Sequence, residues 1–165
     1  MSGRAFVFGD NLSTDALAPG AYMKAPIQEL AAHCLESVDP AFAATVKPGD
    51  IVVAGENAGM GSSREQAVMA LRELGVRAIV ANSFAGLFYR NCINLGVTPL
   101  PCAEAGKIAP GDALELDDMA GVIRNLTRKE TYSCEKIPPP LRAMLDAGGL
   151  LPFLKAKLAS GQVAS

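Results

Sequence analysis

The chain has 165 residues, half of them hydrophobic and 19% charged, which suits one folded core and excludes both global disorder and a multi-domain enzyme. Fifteen Lys and Arg against 17 Asp and Glu give a net charge of −2 with no basic run, so a phosphate-tracking surface for nucleic acid is excluded too. Aromatics are only 5% and Trp is absent, so Ala, Val, Ile and Leu must fill the core, as they do in α/β layers.

In chain order, Arg4-Ala5-Phe6-Val7-Phe8 alternates and favours aromatic and β-branched types, and residues 9–15 supply turn formers. That predicts a strand followed by a polar loop. The spacing of Ile27, Leu30, Ala31 and Cys34 predicts a helix over 26–35, with Pro26 at its first position and Gln28, Glu29 and His33 on its polar face. Asp39-Pro40 ends that element, and Val46-Lys47-Pro48-Gly49-Asp50 turns into Ile51-Val52-Val53-Ala54, a short buried strand. The loop from Gly55 to Ser63 carries glycines at 55, 59 and 61, leaving its backbone free to turn tightly against a bound group. A helix over 64–74 follows, with Ala67, Ala70, Leu71 and Leu74 inward and Gly75 as its stop, and then a second apolar strand over 76–81. Strand, glycine loop, helix, strand is a βαβ unit with a parallel pair.

The alternation repeats with a helix over 84–95 that stops at Gly96 and a short strand over 97–100. Beyond Pro110-Gly111-Asp112, residues 113–116 and 121–126 alternate on either side of Asp117-Asp118 and predict an antiparallel hairpin or meander, closed by Pro138-Pro139-Pro140. A short helix over 141–145 and an amphipathic one over 150–158 precede a Gly-Ser-Ala tail. With no repeat or linker, residues 1–165 read as a single domain. The apolar stretches break well short of the roughly 18 residues of a membrane span, and the opening residues lack a secretory pattern. A cytoplasmic protein is the expectation. Cys34, Cys92, Cys102 and Cys134 form no Cys-x-x-Cys pair and the only His is His33, so free thiols are expected, and no metal site made by this chain alone.

Gly61-Ser62-Ser63-Arg64-Glu65 stands where the glycine loop enters a helix. Free N–H groups and the positive end of the dipole favour an anion there, and two hydroxyls and a guanidinium add directional donors suited to a small organic acid. A plainer reading of the same residues is a capping box between Ser62 and Glu65. The loop is not Gly-x-x-x-x-Gly-Lys-Ser/Thr, and Gly59-x-Gly61 lacks the third glycine of a dinucleotide site. Nor is Gly61-Ser62-Ser63 the Gly-x-Ser-x-Gly of a serine hydrolase, for which the lone His33 on a polar face is a poor partner. Met60 and Cys92 read as packing groups. Arg90 either reaches the acid pocket or pairs on the surface, and Asn91 beside it is equally open.

Gly55-Glu56-Asn57-Ala58-Gly59-Met60-Gly61-Ser62-Ser63-Arg64-Glu65-Gln66-Ala67 resembles the signature of the small, swivel-domain subunits of aconitase-type dehydratases, particularly isopropylmalate isomerases. The resemblance continues at Ser13-Thr14-Asp15 with Pro19-Gly20 and Tyr22, at Val46-Lys47-Pro48-Gly49-Asp50, and from Asn82-Ser83-Phe84-Ala85 through Arg90-Asn91 to Asn94-Leu95-Gly96. It implies an α/β fold, the three-layer β/β/α aconitase swivelling domain, and a hydro-lyase that moves a hydroxyl between adjacent carbons of a malate-type acid by dehydration and rehydration, as in leucine biosynthesis. It further implies a [4Fe-4S] cluster on a separate large subunit, where one open iron acts as Lewis acid, and activity only when that partner is present.

By the same resemblance, Ser62 is the serine whose alkoxide abstracts a proton beside a carboxylate, and Ser63 and Arg64 help hold the substrate. Thr14-Asp15 is the first-loop pair, in which Asp15 orients active-site groups or relays a proton. Read without the family, Asp15 is a loop acid making a local turn. Substrate choice in the family rests on the loop after Pro19-Gly20, here Ala21-Tyr22-Met23-Lys24-Ala25. Lys24 could meet a third carboxylate, or Met23 could line an apolar pocket. The family usually has Arg at the position of Ala21, an aromatic at Ala58 and often Pro at Val68. Homoaconitate, citramalate-type and dimethylmalate acids are rival substrates to isopropylmalate, and a non-catalytic organic-acid-binding module or a purely structural subunit are rival roles.

Overall fold

The computed structural model describes residues 1–161, and the end of the predicted tail, beyond Gly161, lies outside them. Strand β1 (Ser2–Val7) leads through a one-turn helix α1 (Thr14–Leu17), a 3-10 turn (Gly20–Tyr22), α2 (Ile27–Ala32) and α3 (Phe42–Thr45) to β2 (Ile51–Ala54). Then come α4 (Glu65–Glu73), β3 (Ala78–Ala81), α5 (Gly86–Asn94) and β4 (Thr98–Pro101), which is the expected alternation. A second 3-10 turn (Ala105–Lys107) precedes β5 (Ala113–Asp117), β6 (Val122–Asn125) and β7 (Glu130–Ser133), and α6 (Pro139–Asp146) and α7 (Leu150–Ala159) finish the chain.

The strands form one sheet in the order β4-β3-β2-β1-β5-β6-β7. β1 serves both halves: Ala5 to Val7 run parallel to Ile51 to Val53, while Ser2 to Arg4 run antiparallel to Ala113 to Glu115. The sheet curls so that its antiparallel half covers one face of its parallel half. Val52, Ala54, Ile79 and Ala81 pack under the helices with Leu17, Leu30 and Leu71, while Ile51, Val53, Ala78 and Val80 pack on Leu114, Leu116, Ile123 and Tyr132. Helices, parallel strands and antiparallel strands are the three layers, and burial on both faces explains why β2 and β3 are continuous apolar runs without alternation. β4 carries Pro99 and Pro101 yet is a strand because it lies at the sheet edge, where a missing N–H costs no ladder bond.

Three local differences from the sequence reading have physical causes. Pro26 precedes α2 as its cap, with ψ 150, and the helix gives way at His33, whose ring stacks on Tyr22 at 3.7 Å. The segment read as polar loop contains α1, whose cap is Ser13 accepting from the Ala16 amide at 3.1 Å. The meander includes β7, in which Tyr132 is the one buried side chain, too little to give a visible period. Where the sheet has curled furthest, β4 meets the segment after β7, and the Glu135 amide donates to the Pro101 carbonyl at 2.9 Å.

Candidate active site

Three connections at the carboxyl ends of the parallel strands converge: residues 8–13 after β1, 55–64 after β2 and 82–85 after β3. Open α/β sheets bind ligands in such a crevice. Backbone bonds lock the connections together. The Gly59 amide donates to Leu12 O at 2.6 Å, the Thr14 amide to Met60 O at 2.9 Å and the Ala58 amide to Ser83 O at 2.9 Å. The Ser83 hydroxyl accepts from the Asn57 amide at 2.7 Å and donates to Glu56 at 2.6 Å. Glycine is required at position 59, where φ is +82° and a Cβ would meet the Phe88 ring at 1.9 Å.

The result is a cleft of about 150 Å³ between the glycine loop and α5, lined by Ser62, Ser63, Arg64, Gly86, Leu87 and Asn91 among others. Ser62 and Ser63 are exposed in it. The capping box is not formed: α4 begins at Glu65, Arg64 is its extended cap residue, and no side chain accepts from its first amides. The cause is Thr14, almost fully buried, whose hydroxyl donates to the Ser62 carbonyl at 2.9 Å and fixes that residue outside the helix. The Ser62 and Ser63 hydroxyls are thereby kept free of capping duty.

Arg64 does not point its whole guanidinium into the cleft. One amino group donates to the Ala18 carbonyl at 3.0 Å and the other meets the Asp15 carboxylate at 2.8 Å. Asp15 thus makes a cross-loop ion pair with Arg64 in place of the local turn read from its neighbours, and the cap of α1 is Ser13. Asn91 reaches from α5 to within 3.4 Å of the Ser63 hydroxyl, while Arg90 lies over a different groove with Tyr89, Ile93 and Met144. Met23 packs against the helical core and Lys24 is exposed, and neither lines the cleft. Sequence reasoning missed the second helix terminus. α5 also opens on the cleft without a side-chain cap, and Gly86, Leu87 and Phe88 of its first turn line the space beside Ser62 and Ser63. The sequence masks it: Asn82-Ser83 stand where a helix starting at Phe84 would be capped, but the Ser83 hydroxyl is taken by the Asn57 amide and Glu56, and Ala85 becomes the cap residue.

The sequence matches the aconitase C-terminal domain family over residues 12–105. A 3-isopropylmalate dehydratase small subunit of Archaeoglobus fulgidus is 47% identical over 156 residues, 93% of this chain and 96% of that protein. The chain belongs to this family of small subunits. Its relative in Methanosarcina mazei, under the same description, is 48% identical over 157 residues, 94% of this chain and 96% of that one. The crystal structure of a 3-isopropylmalate dehydratase from Methanocaldococcus jannaschii superimposes with a TM-score of 0.91 at 44% identity, covering 98% of this chain and 97% of that one. The fold is therefore that of the aconitase swivel domain.

Membership of this family points to an iron–sulfur cluster, and among the described residues no set of side chains fits one. Among the described residues no three His, Cys, Asp or Glu side chains lie together as a metal set. Cys34 and Cys92 are buried, which pushes the Cys34 thiol up to about 12 and Cys92 up as well, whereas a cluster is held by thiolates. Among the described residues no helix is long and apolar enough to cross a membrane.

Proposed function

We propose that this chain is the small subunit of a cytoplasmic hydro-lyase of the 3-isopropylmalate dehydratase type, acting in leucine biosynthesis with a large subunit that carries the [4Fe-4S] cluster. The observation that carries the reading is the pair of exposed hydroxyls, Ser62 and Ser63, freed from helix capping and set between two uncapped helix termini. In this reading a substrate carboxylate lies against the first amides of α5 and the Ser63 hydroxyl, held in turn by Asn91. The Ser62 alkoxide takes the proton from the carbon beside that carboxylate, the electron pair moves into the carboxylate and then into the new double bond, and hydroxide leaves the neighbouring carbon. Return of water in the opposite sense completes the isomerisation.

A serine alkoxide is a costly base, and the groups that lower its cost are the helix dipoles and the adjacent guanidinium, fixed in advance by Asp15 and Ala18. Among the described residues Arg64 is the only cation lining the cleft, and it is already paired. With Lys24 outside the cleft, a diacid with an apolar substituent is favoured over one with a third carboxylate. Met23 and Lys24 are assigned to the substrate's variable group only in the assembled enzyme.

The test is turnover of 3-isopropylmalate by the chain reconstituted with its large subunit, with citramalate, homoaconitate and dimethylmalate as competitors. Ser62→Ala is expected to lower kcat by at least roughly 10³-fold, the scale of removing a general base and its proton path. Near-normal turnover by that variant overturns the assignment of Ser62, and acid binding by the chain alone without turnover in the complex would favour the organic-acid-binding module.

A further inference from the structure

The seam of the curled sheet holds two thiols that the proposed chemistry does not use. The Glu135 amide donates to the Pro101 carbonyl at 2.9 Å, and the residues flanking that bond on each side are Cys102 and Cys134. Standard backbone dimensions then keep their Cα atoms within about 8 Å whatever the local orientation, and a disulfide needs a closing of that gap to roughly 4.4–6.8 Å. The Cys102 thiol already points across the gap, 3.4 Å from the carbonyl of Ser133, the residue joined to Cys134. Both cysteines line one surface groove with Asn82, Ala103 and Glu135. Cys102 is 2% exposed, whereas Cys134 is half-buried. The other two cysteines are buried elsewhere, Cys34 and Cys92 both within the helical core.

We infer that Cys134 and Cys102 form a thiol–disulfide exchange site for low-molecular-weight disulfides, Cys134 as the entry thiol and Cys102 as the resolving one. The Cys134 thiolate attacks one sulfur of the small disulfide, forming a mixed disulfide and releasing one thiolate. The Cys102 thiolate then attacks the Cys134 sulfur and expels the second small thiol. The sum is two protein thiols and one small disulfide giving one protein disulfide and two small thiols, so the protein pair is oxidised by two electrons and the small disulfide reduced by two. The product staples the end of β4 to the end of β7 beside the Glu135–Pro101 hydrogen bond. The exchange is slow at neutral pH, because burial first, and then the neighbouring Cys102, Asp117 and Glu135, push the Cys134 thiol up to about 11. Its rate therefore rises close to tenfold per pH unit between 7 and 9.

The test treats the reduced full chain at pH 9 without oxygen with excess oxidised glutathione, followed by intact mass and peptide mapping. The expected product has lost two hydrogens, links residues 102 and 134, carries no glutathione, and melts roughly 5–15 °C higher than the reduced chain. Cys102→Ser is expected to accumulate the glutathione adduct on Cys134, and Cys134→Ser to give neither adduct nor crosslink. A stable adduct on the unaltered chain, a crosslink through Cys34 or Cys92, or no reaction under conditions where the unfolded chain reacts would each overturn the assignment. Because Cys134 is half-buried, its variant keeps the test decisive even if Cys102→Ser fails to fold.

Discussion

Replacing Thr14 with Val removes one atom group of consequence, the hydroxyl that donates to the Ser62 carbonyl at 2.9 Å, while keeping nearly the same shape at a position only 2% exposed. A neutral hydrogen bond contributes about 0.5–1.5 kcal/mol net, and an orphaned acceptor costs more only if water cannot reach it. Ser62 is exposed, so its carbonyl regains water, and the stability loss should stay near 1 kcal/mol, or roughly 2–4 °C in Tm. The kinetic loss should be larger. Without that bond the serine can relax toward a helix-capping position, and a displacement on the order of 1 Å of a reacting group costs about 10²-fold. The assay is kcat and KM of the reconstituted enzyme beside thermal unfolding of the small subunit. Thr14→Val should lower kcat roughly 10- to 100-fold with little change in KM, and Thr14→Ser, which keeps the hydroxyl, should recover most of it. Unchanged kcat in the Val variant, or equal losses in the two variants, would refute the idea that Thr14 holds Ser62 in place.

Three other outcomes follow from the same geometry. Asp15→Asn and Arg64→Lys should each lower kcat/KM, and the double variant should lose much less than the product of the two, because one cross-loop pair is removed in both; stability should move by less than about 1 kcal/mol, since Asp15 is 71% exposed. Gly59→Ala should cost roughly 2–4 kcal/mol by denaturant titration, because the added Cβ meets the Phe88 ring at 1.9 Å with φ at +82°. Burial raises the Asp112 pKa, but hydrogen bonds from Asn125, the Ala109 amide and Arg128 outweigh it and hold the carboxyl below its usual range. A depressed folded-state pKa adds stability above the unfolded value and loses it as pH falls through the folded one, so the contribution should be full above about pH 4 and decline progressively below it. Asp112→Asn should flatten that acid limb, and an unchanged acid profile would remove Asp112 as its source.

Elements whose burial follows a single rule were legible from residue pattern alone. β2 and β3 are apolar on both faces, α4 has one buried stripe ended by a positive-φ glycine, and their order sufficed to predict the parallel half and the loop that carries Ser62. What failed to show in the pattern depends on partners distant in sequence. α1 is a single turn fixed by a bridge from Ser13 to Met60, and β7 buries one side chain against β6. The capping box illustrates the same limit, since Ser62 and Glu65 have suitable identities and spacing, yet Thr14, 48 positions earlier, takes the Ser62 carbonyl first. Arg64 was expected to face a ligand, and its engagement with Asp15 and Ala18 could not be read from its neighbours in the chain. The uncapped start of α5 was hidden in the same way, because Asn82-Ser83 follow β3 where capping residues would stand, while the Ser83 hydroxyl bonds Asn57 and Glu56 from the preceding loop.

The curled sheet separates the folding of this subunit from its assembly. Because the antiparallel strands cover the face of β2 and β3 that the helices leave open, the chain buries its own core on both sides and needs no second polypeptide to complete it. The cleft is a different matter: Ser62 and Ser63 are exposed in it, and among the described residues nothing closes over them. A partner that docks at the strand ends therefore contributes chemistry and exclusion of water, not packing of the core. On this argument the isolated small subunit should unfold in a single cooperative transition without its partner, and only the catalytic function should depend on the complex.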